Sequence, residues 1–274
     1  MLERRLFLSA SMAATIATGA GARSDYAAED AAWRQARLER LKGDDGWLAL
    51  AGLHWLDPGV NRIPSAPGLT FTRRGGVVVM ESSQPVPVNG ELTRKLSLKK
   101  DTDKITIGDR TYFVIVRGDR VAIRERDKKS KYRTSFKGLE LYPFKPELRI
   151  EAKWLAYPKP VTRRIPTVTN TVDEMLAPGQ AEFAIGGQTF RLEPVIEDDH
   201  LFYIFKDRTA GKTTYAAGRF MELPTPQAGV AIVDFNRAYN PPCAFSPYAT
   251  CPLPLKRNQL PVAIEAGEHA YHFD

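Results

Sequence analysis

The sequence predicts a mainly β protein with two small antiparallel β units, each a sandwich or a barrel, and one N-terminal helix. Three observations predict this fold class. Short β-branched or alternating segments recur along the chain. Asn-Gly, Gly-Asp and Gly-Gly pairs stand between them at hairpin positions. One early segment has helical composition. With 274 residues, of which 43% are hydrophobic, the chain can bury one large core or two small ones.

Residues 1–22 are typical of a secretory signal peptide. Arg4 and Arg5 precede an apolar stretch rich in small residues, and the A-G-A string at 20–22 fits a cleavage site. Residues 4–8 (RRLFL) resemble the twin-arginine export motif. We therefore expect an exported protein, periplasmic or extracellular. No later segment is long and apolar enough to predict a membrane span.

Four segments are expected along the chain. Residues 1–22 are the signal peptide, residues 23–44 the N-terminal helix, and residues 45–135 a sandwich-like β unit. Residues 136–274 form a second β unit with a Pro-rich tail that carries both cysteines. The helix is predicted because residues 26–42 contain good helix formers and neither Gly nor Pro.

The predicted strands are short and separated by turn residues. In the first unit they cover residues 69–72, 77–80, 86–88, 105–107, 112–117 and 120–124. In the second unit they cover residues 149–156, 162–169, 181–185, 188–195, 201–206, 215–222 and 230–235. Such regular short strands favour a sandwich or barrel over a parallel sheet.

Positive charge is concentrated in residues 94–133. The formal net charge of the chain is +7, and this stretch alone contains fourteen Lys or Arg against six Asp or Glu. Apolar residues alternate with the basic ones, which is typical of strands with one solvated face. The alternative is a contact with an anionic envelope polymer. A nucleic-acid partner is not predicted, because an exported protein without aromatic residues on that face does not fit one.

The densest group of polar residues lies in the second unit. Its members can form charge-assisted pairs or bind a planar or anionic ligand through a bidentate guanidinium. If residues 215–222 pair with residues 230–235 as a hairpin, these side chains converge. The candidate ligand-binding residues are Asp207, Arg208, Arg219, Asp234, Asn236, Arg237, Tyr239 and Asn240.

Three interpretations of this group remain open. The first is a binding site for a small polar or anionic ligand, which is the function that we predict. The second is an enzyme in which Asp234 or Asp207 acts as general base and Arg219 or Arg237 stabilises negative charge. The third is a buried ion-pair network in a structural protein that interacts with the envelope.

Cys243 and Cys251 lie in the Pro-rich tail with seven residues between them. In an exported protein this pair predicts a disulfide. Free buried thiols and a redox or metal-binding pair are the alternatives. The four histidines of the chain fit no zinc spacing, so neither a metal nor another cofactor is predicted.

Three strings resemble the bacterial domain-of-unknown-function family 1684. They are residues 46–56 (GWLALAGLHWL), 234–245 (DFNRAYNPPCAF) and 246–254 (SPYATCPLP). The resemblance covers roughly residues 30–270 and implies no established reaction.

The N-terminal strands also resemble a forkhead-associated sandwich, through the turn near Asn61, residues 88–90 and the pair Ile107-Gly108. Phosphothreonine binding in that fold needs a Gly-Arg pair and a Ser-x-x-His loop. Pro64 and Ser65 follow Ile63 here, so the resemblance implies a fold and not that function.

Overall fold

The N-terminal helix is longer than the sequence predicts. A computed structural model describes residues 19–273, with side chains described from residue 25 onward. Helix α1 spans Gly19–Lys42, so it begins seven residues before the predicted segment 26–42. Of the predicted signal peptide, residues 1–18 lie outside the described residues. No helix in the described part combines the length and apolar composition needed to cross a membrane.

Helix α1 packs on the second half of the chain through a face that is partly polar. Tyr26, Arg37 and Leu41 are buried, with 6%, 4% and 1% of their surface exposed. The Tyr26 hydroxyl donates to Asp234, and the Arg37 guanidinium donates to Glu268. The helix is therefore anchored by hydrogen bonds to Asp234 and to the tail, residues 236–274, as well as by apolar contact.

The first sheet contains eight strands within the described residues, and every pairing is antiparallel. They are β1 (Leu50–Trp55), β2 (Gly59–Arg62), β3 (Leu69–Arg74), β4 (Val77–Val88), β5 (Glu91–Leu98), β6 (Ile105–Ile107), β7 (Arg110–Arg117) and β8 (Arg120–Asp127). Their order is β1-β8-β7-β6-β4-β3-β2, and β5 pairs with β4 beside this path. One face of the sheet encloses an apolar core that includes Phe71, Met80, Tyr112 and Ile123.

Two tight turns in this sheet form at the Asn-Gly and Gly-Asp pairs for which the sequence predicts hairpin turns. Asn89 and Gly90 join β4 to β5, with φ of 52° and 89°. Gly118, at φ 55°, opens the turn between β7 and β8, where Arg117 lies opposite Arg120. Glycine and asparagine tolerate this left-handed region, and a two-residue turn with positive φ at its first residue or at both residues matches the twist of the strands.

A one-turn helix, α2 (Lys131–Thr134), separates this sheet from two smaller ones. The second sheet contains β9 (Arg149–Pro166), β10 (Val172–Ile185), β11 (Gln188–Leu192) and β15 (Val230–Asp234), in the order β11-β10-β9-β15. The third contains β12 (Val195–Glu197), β13 (His200–Phe205) and β14 (Arg219–Leu223), in that order. All pairings are again antiparallel. The predicted fold class, mainly β with antiparallel sheets and one N-terminal helix, is confirmed.

The hairpin considered between residues 215–222 and 230–235 does not form. Strand β14 pairs with β13, whereas β15 pairs with β9 in the other sheet. Residues 224–229, which join the two strands, include two prolines and a Gln227–Val230 turn, so the chain changes sheets there. Residues 215–218 lie outside any strand.

The third sheet separates two apolar clusters. Tyr203, Phe205 and Met221 face the second sheet, together with Phe183 and Phe235. The alternate residues of the same strands face the opposite way, as the period of a strand requires. Phe202, Ile204 and Phe220 meet Leu50 and the tail on that side.

The tail packs on the body although it has almost no regular structure. Phe245, Ala249 and Cys251 are buried in its middle, and Ile264 and Ala266 near its end. Isolated bridges tie it to the rest of the chain, among them Phe220–Tyr239 and Thr167–Pro252. These contacts bring the tail beside both the first and the third sheet.

Candidate functional site

Asp207 and Arg219 form a buried ion pair. Arg219 Nη2 lies 2.6 Å from Asp207 Oδ2, and each side chain is 1% exposed. The same guanidinium donates to the carbonyl oxygens of Ile264, at 2.9 Å, and Ala266. Asp207 Oδ1 accepts from the backbone N–H of Thr209 at 2.7 Å. The hydrogen-bonding groups of the pair are engaged within the protein, and the pair holds the end of the tail against β14.

Gly218 allows this arrangement. It adopts φ 105°, and a Cβ atom there would lie 2.5 Å from the carbonyl oxygen of Phe205. Only glycine accepts both the conformation and the close approach. The backbone therefore enters β14 at a position that directs the Arg219 side chain inward.

Asp234 and Asn236 form a second, separate network beneath helix α1. Asp234 Oδ1 accepts from the Tyr26 hydroxyl at 2.6 Å and from the backbone N–H of Asn236 at 3.1 Å. The Asn236 side chain donates to the carbonyl of Lys145 and accepts from its N–H. Burial and the Asp234 carboxylate raise the pKa of the Tyr26 hydroxyl, which therefore stays protonated as the donor.

The other four predicted residues occupy different surroundings. Asn240 is fully buried and donates to Glu268 and to the carbonyl of His269. Arg208 is exposed. Arg237 lies 3.4 Å from Asp234 at the surface, and the Tyr239 hydroxyl donates to Glu222. The eight candidates thus contribute to several networks, and the structure does not bring them to one cavity.

A cavity of about 410 Å³ lies where the first sheet, the third sheet and the tail meet. That volume falls within the range of small-ligand sites. Of the eight predicted residues, only Tyr239 lines this cavity. Its walls are formed chiefly by Arg117, Arg124 and Arg126 of β7 and β8, by Phe202, Phe220 and Glu222 of β13 and β14, and by residues 249–252 of the tail.

Two arginines of this cavity lack a carboxylate partner within the described residues. Arg117 Nε donates to the hydroxyl of Thr250 at 2.9 Å, and Arg124 Nη2 donates to the same oxygen at 3.2 Å. Arg124 Nε is shielded from solvent and has no hydrogen-bond partner. Arg126 differs, because its Nη1 pairs with the exposed Asp45 at 2.9 Å.

The sheet explains why Arg124 is partly desolvated. In the register of the sheet it lies opposite Phe113 of β7 and Leu53 of β1. Burial between these side chains, with Arg117 and Arg126 adding like charge, lowers the pKa of Arg124 to about 10. A cation held in this way attracts a negatively charged ligand more strongly than a solvated one would.

Three carboxyl side chains also line the cavity, those of Asp173, Glu197 and Glu222. Glu222 is exposed to the cavity and accepts a hydrogen bond from Tyr239. Glu197 lies nearby at the end of β12, where desolvation and the negative charge of Glu222 raise the pKa of its carboxyl group. The cavity therefore combines a cationic wall with a carboxyl wall, joined by aromatic surface.

The disulfide predicted between Cys243 and Cys251 is confirmed, and it shapes this cavity. The two Cα atoms lie 6.2 Å apart. Cys251 itself, with its neighbours Thr250 and Pro252, lines the cavity. The covalent link therefore fixes the loop that presents the Thr250 hydroxyl to both arginines.

Arg117, Arg124 and Thr250 were not among the predicted site residues. Both arginines belong to the basic stretch 94–133, where alternation with apolar residues favoured a solvated face. Thr250 lies more than a hundred residues away in the chain. The available signal was the resemblance of residues 246–254 to a family motif, because that motif contains Thr250. Within the described residues, no cluster of three or more His, Cys, Asp or Glu side chains could hold a metal ion.

Comparisons with known proteins identify a family. An uncharacterised protein from Haloarcula marismortui, with a structure solved by solution NMR, is 32% identical; the match covers 50% of this chain and 78% of that one, with a TM-score of 0.43. No curated protein matches the chain. Residues 134–269 match the model of a family described as protein of unknown function (DUF1684). This span includes the motifs at 234–254 but not the motif at 46–56. The family resemblance is thereby confirmed, and the chain belongs to the DUF1684 family.

Proposed function

We propose that this protein binds a small anionic ligand in the cavity between β7, β8, β14 and the disulfide loop. Arg117 and Arg124 would bind the anionic group of the ligand, with the Thr250 hydroxyl between them. The remainder of the ligand would lie against Phe202, Phe220 and the other aromatic walls. Of the residues proposed from the sequence, Tyr239 contributes directly to this site.

The proposal rests on the surroundings of the Arg124 guanidinium group. Its Nε has no hydrogen-bond partner, and the guanidinium forms no ion pair with a carboxylate of the described residues. Burying a charge without a counter-charge costs free energy. An anion bound beside Arg124 and Arg117 would offset this cost, because a guanidinium binds carboxylate or phosphate oxygens in bidentate fashion.

Thermal-shift and calorimetric titrations with phosphate, sulfate and galacturonate test the proposal, since a ligand that binds the folded state raises its stability. We expect at least one of these anions to bind. Removing a hydrogen bond to a charged group costs about 1.5–3 kcal/mol. Arg124→Gln and Arg117→Gln should therefore each weaken binding by about tenfold or more.

Arg94→Gln is the matched control. Arg94 lies on β5, is exposed and does not line the cavity, yet its substitution removes the same charge. Affinity within about twofold of wild type is expected for this variant. The proposal is refuted if none of the three anions binds, or if Arg94→Gln weakens binding as much as Arg124→Gln does.

We also propose that the mature protein is exported. The support is the signal-like sequence of residues 1–22 together with the Cys243–Cys251 disulfide, because disulfides persist in oxidising compartments. Fractionation of cells that produce the full chain tests this. Recovery of the protein in the cytoplasmic fraction with residues 1–22 still attached would contradict it.

A further inference from the structure

Three cavities adjoin one another around the Glu222–Tyr239 pair. Both residues line the arginine cavity described above, a second cavity of about 610 Å³ and a third of about 420 Å³. Trp47 is shared by the first and second cavities, and Arg40 of helix α1 by the second and third. From these shared walls we infer that the three cavities are segments of one groove, which passes over Glu222.

The groove has cations towards both ends. Arg117 and Arg124 lie in the first cavity, and Arg40 and Arg237 line the third. Arg40 is exposed and forms no ion pair within the described residues, so it is available to a ligand. Arg237 lies 3.4 Å from Asp234, which leaves Arg40 as the principal free charge at this end.

The middle of the groove is aromatic and acidic. The Tyr239 ring has its centroid 5.9 Å from that of Trp47 and 6.5 Å from that of Trp33. The Tyr239 hydroxyl already donates to Glu222, so the free lone pairs of the Glu222 carboxylate can accept hydrogen bonds only from a ligand or water. The Glu222 carboxylate therefore repels negatively charged groups and accepts hydrogen bonds from hydroxyl groups.

We propose that the groove binds an elongated acidic oligosaccharide, a proposal that rests on the anion-binding function proposed above. The two cationic ends would bind carboxylates of separate sugar units. The half-buried Trp33 and Trp47 rings would contact the apolar faces of the sugars, and Glu222 would accept hydrogen bonds from the sugar hydroxyl groups. Polyphosphate offers no hydroxyl donor to Glu222 and would place negative charge against it.

Titrations with galacturonate and with trigalacturonate test this assignment. The trimer is expected to bind at least about tenfold more tightly than the monomer, because it reaches both ends of the groove. Arg40→Gln should weaken trimer binding by about three- to fivefold, the effect of losing one exposed ion pair, and leave monomer binding unchanged. Arg124→Gln should weaken both. Lys42→Gln, an exposed position on the same helix outside the groove, should change neither.

The outcomes separate this inference from the proposed function. Equal affinities for monomer and trimer, with both reduced by Arg124→Gln, would overturn the extended groove and keep the anion site. Tighter binding of triglutamate than of trigalacturonate would overturn the assignment to a saccharide. Absence of binding by every anion tested, including phosphate and sulfate, would refute the anion site itself.

Discussion

Removing one partner of the Asp207–Arg219 pair tests whether these residues stabilise the fold or bind a ligand. In Asp207→Asn the Arg219 guanidinium stays buried, with 1% of its side chain exposed and no carboxylate to balance it. Breaking such a pair costs about 3–5 kcal/mol. This is a large part of the 5–15 kcal/mol that is typical for a folded domain. The equilibrium constant for unfolding should rise by about two to three and a half orders of magnitude.

Urea denaturation followed by tryptophan fluorescence measures this loss, with an unchanged m-value showing that the variant unfolds by the same transition. Glu182→Gln is the matched control. It removes the carboxylate of an exposed cross-strand pair with Arg191, at 2.6 Å, and should cost less than about 1 kcal/mol. A loss in Asp207→Asn no larger than in the control, accompanied by weaker anion binding, would refute the structural role and favour the ligand site predicted from the sequence.

Three further predictions concern the cavity and its supports. Replacing both cysteines in Cys243→Ser/Cys251→Ser opens a loop with a sequence separation of 8. Loop entropy predicts that the free energy of unfolding, measured by urea denaturation, falls by about 2–3 kcal/mol. Anion affinity should fall as well, and an unchanged affinity would contradict the role of the disulfide in the site. Gly218→Ala should lower the free energy of unfolding by more than about 1 kcal/mol in the same assay, since the added Cβ would lie 2.5 Å from the Phe205 carbonyl oxygen. Gly75→Ala is the control, because Gly75 also has a positive φ but no atom lies within 4 Å of the added Cβ, and it should lower the free energy of unfolding by less. Anion affinity should rise as the pH falls below neutral, because desolvation and the charges of Glu222 and Asp198 raise the pKa of Glu197. Its carboxyl group therefore loses its negative charge at a higher pH than an ordinary glutamate does. Glu197→Gln should flatten this profile, whereas a profile flattened only by His200→Asn would assign the effect to the imidazole.

The turns of this fold could be predicted from sequence because their causes are local. Gly186 and Gly187 join β10 to β11 as predicted, both with positive φ, and Ile185 lies opposite Gln188. A tight turn depends on two residues that must enter the left-handed region, and the sequence shows them directly. The prediction therefore needed no knowledge of distant contacts.

Strand β5 (Glu91–Leu98) was missed for the opposite reason. Its residues include Glu, Leu, Arg and Lys, which favour helix, and most of its side chains are exposed or half-buried. It is a strand because β4 offers a hydrogen-bonding edge immediately after a tight turn. Strand preference of this kind comes from the neighbour rather than from the segment itself.

The pairing of β15 also could not be predicted from the local sequence, because its partner strand is distant in the chain. Its apolar composition correctly predicted a strand, but two antiparallel partners were possible once the chain left β14. Residue Val233 pairs with Ile150 of β9, more than eighty positions earlier. Pairings between distant segments depend on the packing of whole sheets, which local patterns do not encode. As a consequence, Arg219 and Asp234 entered different networks.

In the basic stretch 94–133, the structure shows which positive charges are neutralised by nearby carboxylates and which are not. Several of its cations pair with nearby carboxylates: Lys95 with Glu81, Lys129 with Asp109, and Lys128 and Arg133 with Asp44. Exposed pairs of this kind are worth little energy, but they reduce the field that an anionic polymer would meet.

Arg117 and Arg124 remain without carboxylate partners in the described structure, and both face the cavity. Salt screens exposed charges strongly and partly buried ones much less. Under the proposed function, the contribution of this stretch to anion binding is therefore concentrated at Arg117 and Arg124. The sequence shows which segment of the chain carries the positive charge. Only the ion pairs in the folded structure show which of these cations have no carboxylate partner and can interact with a ligand.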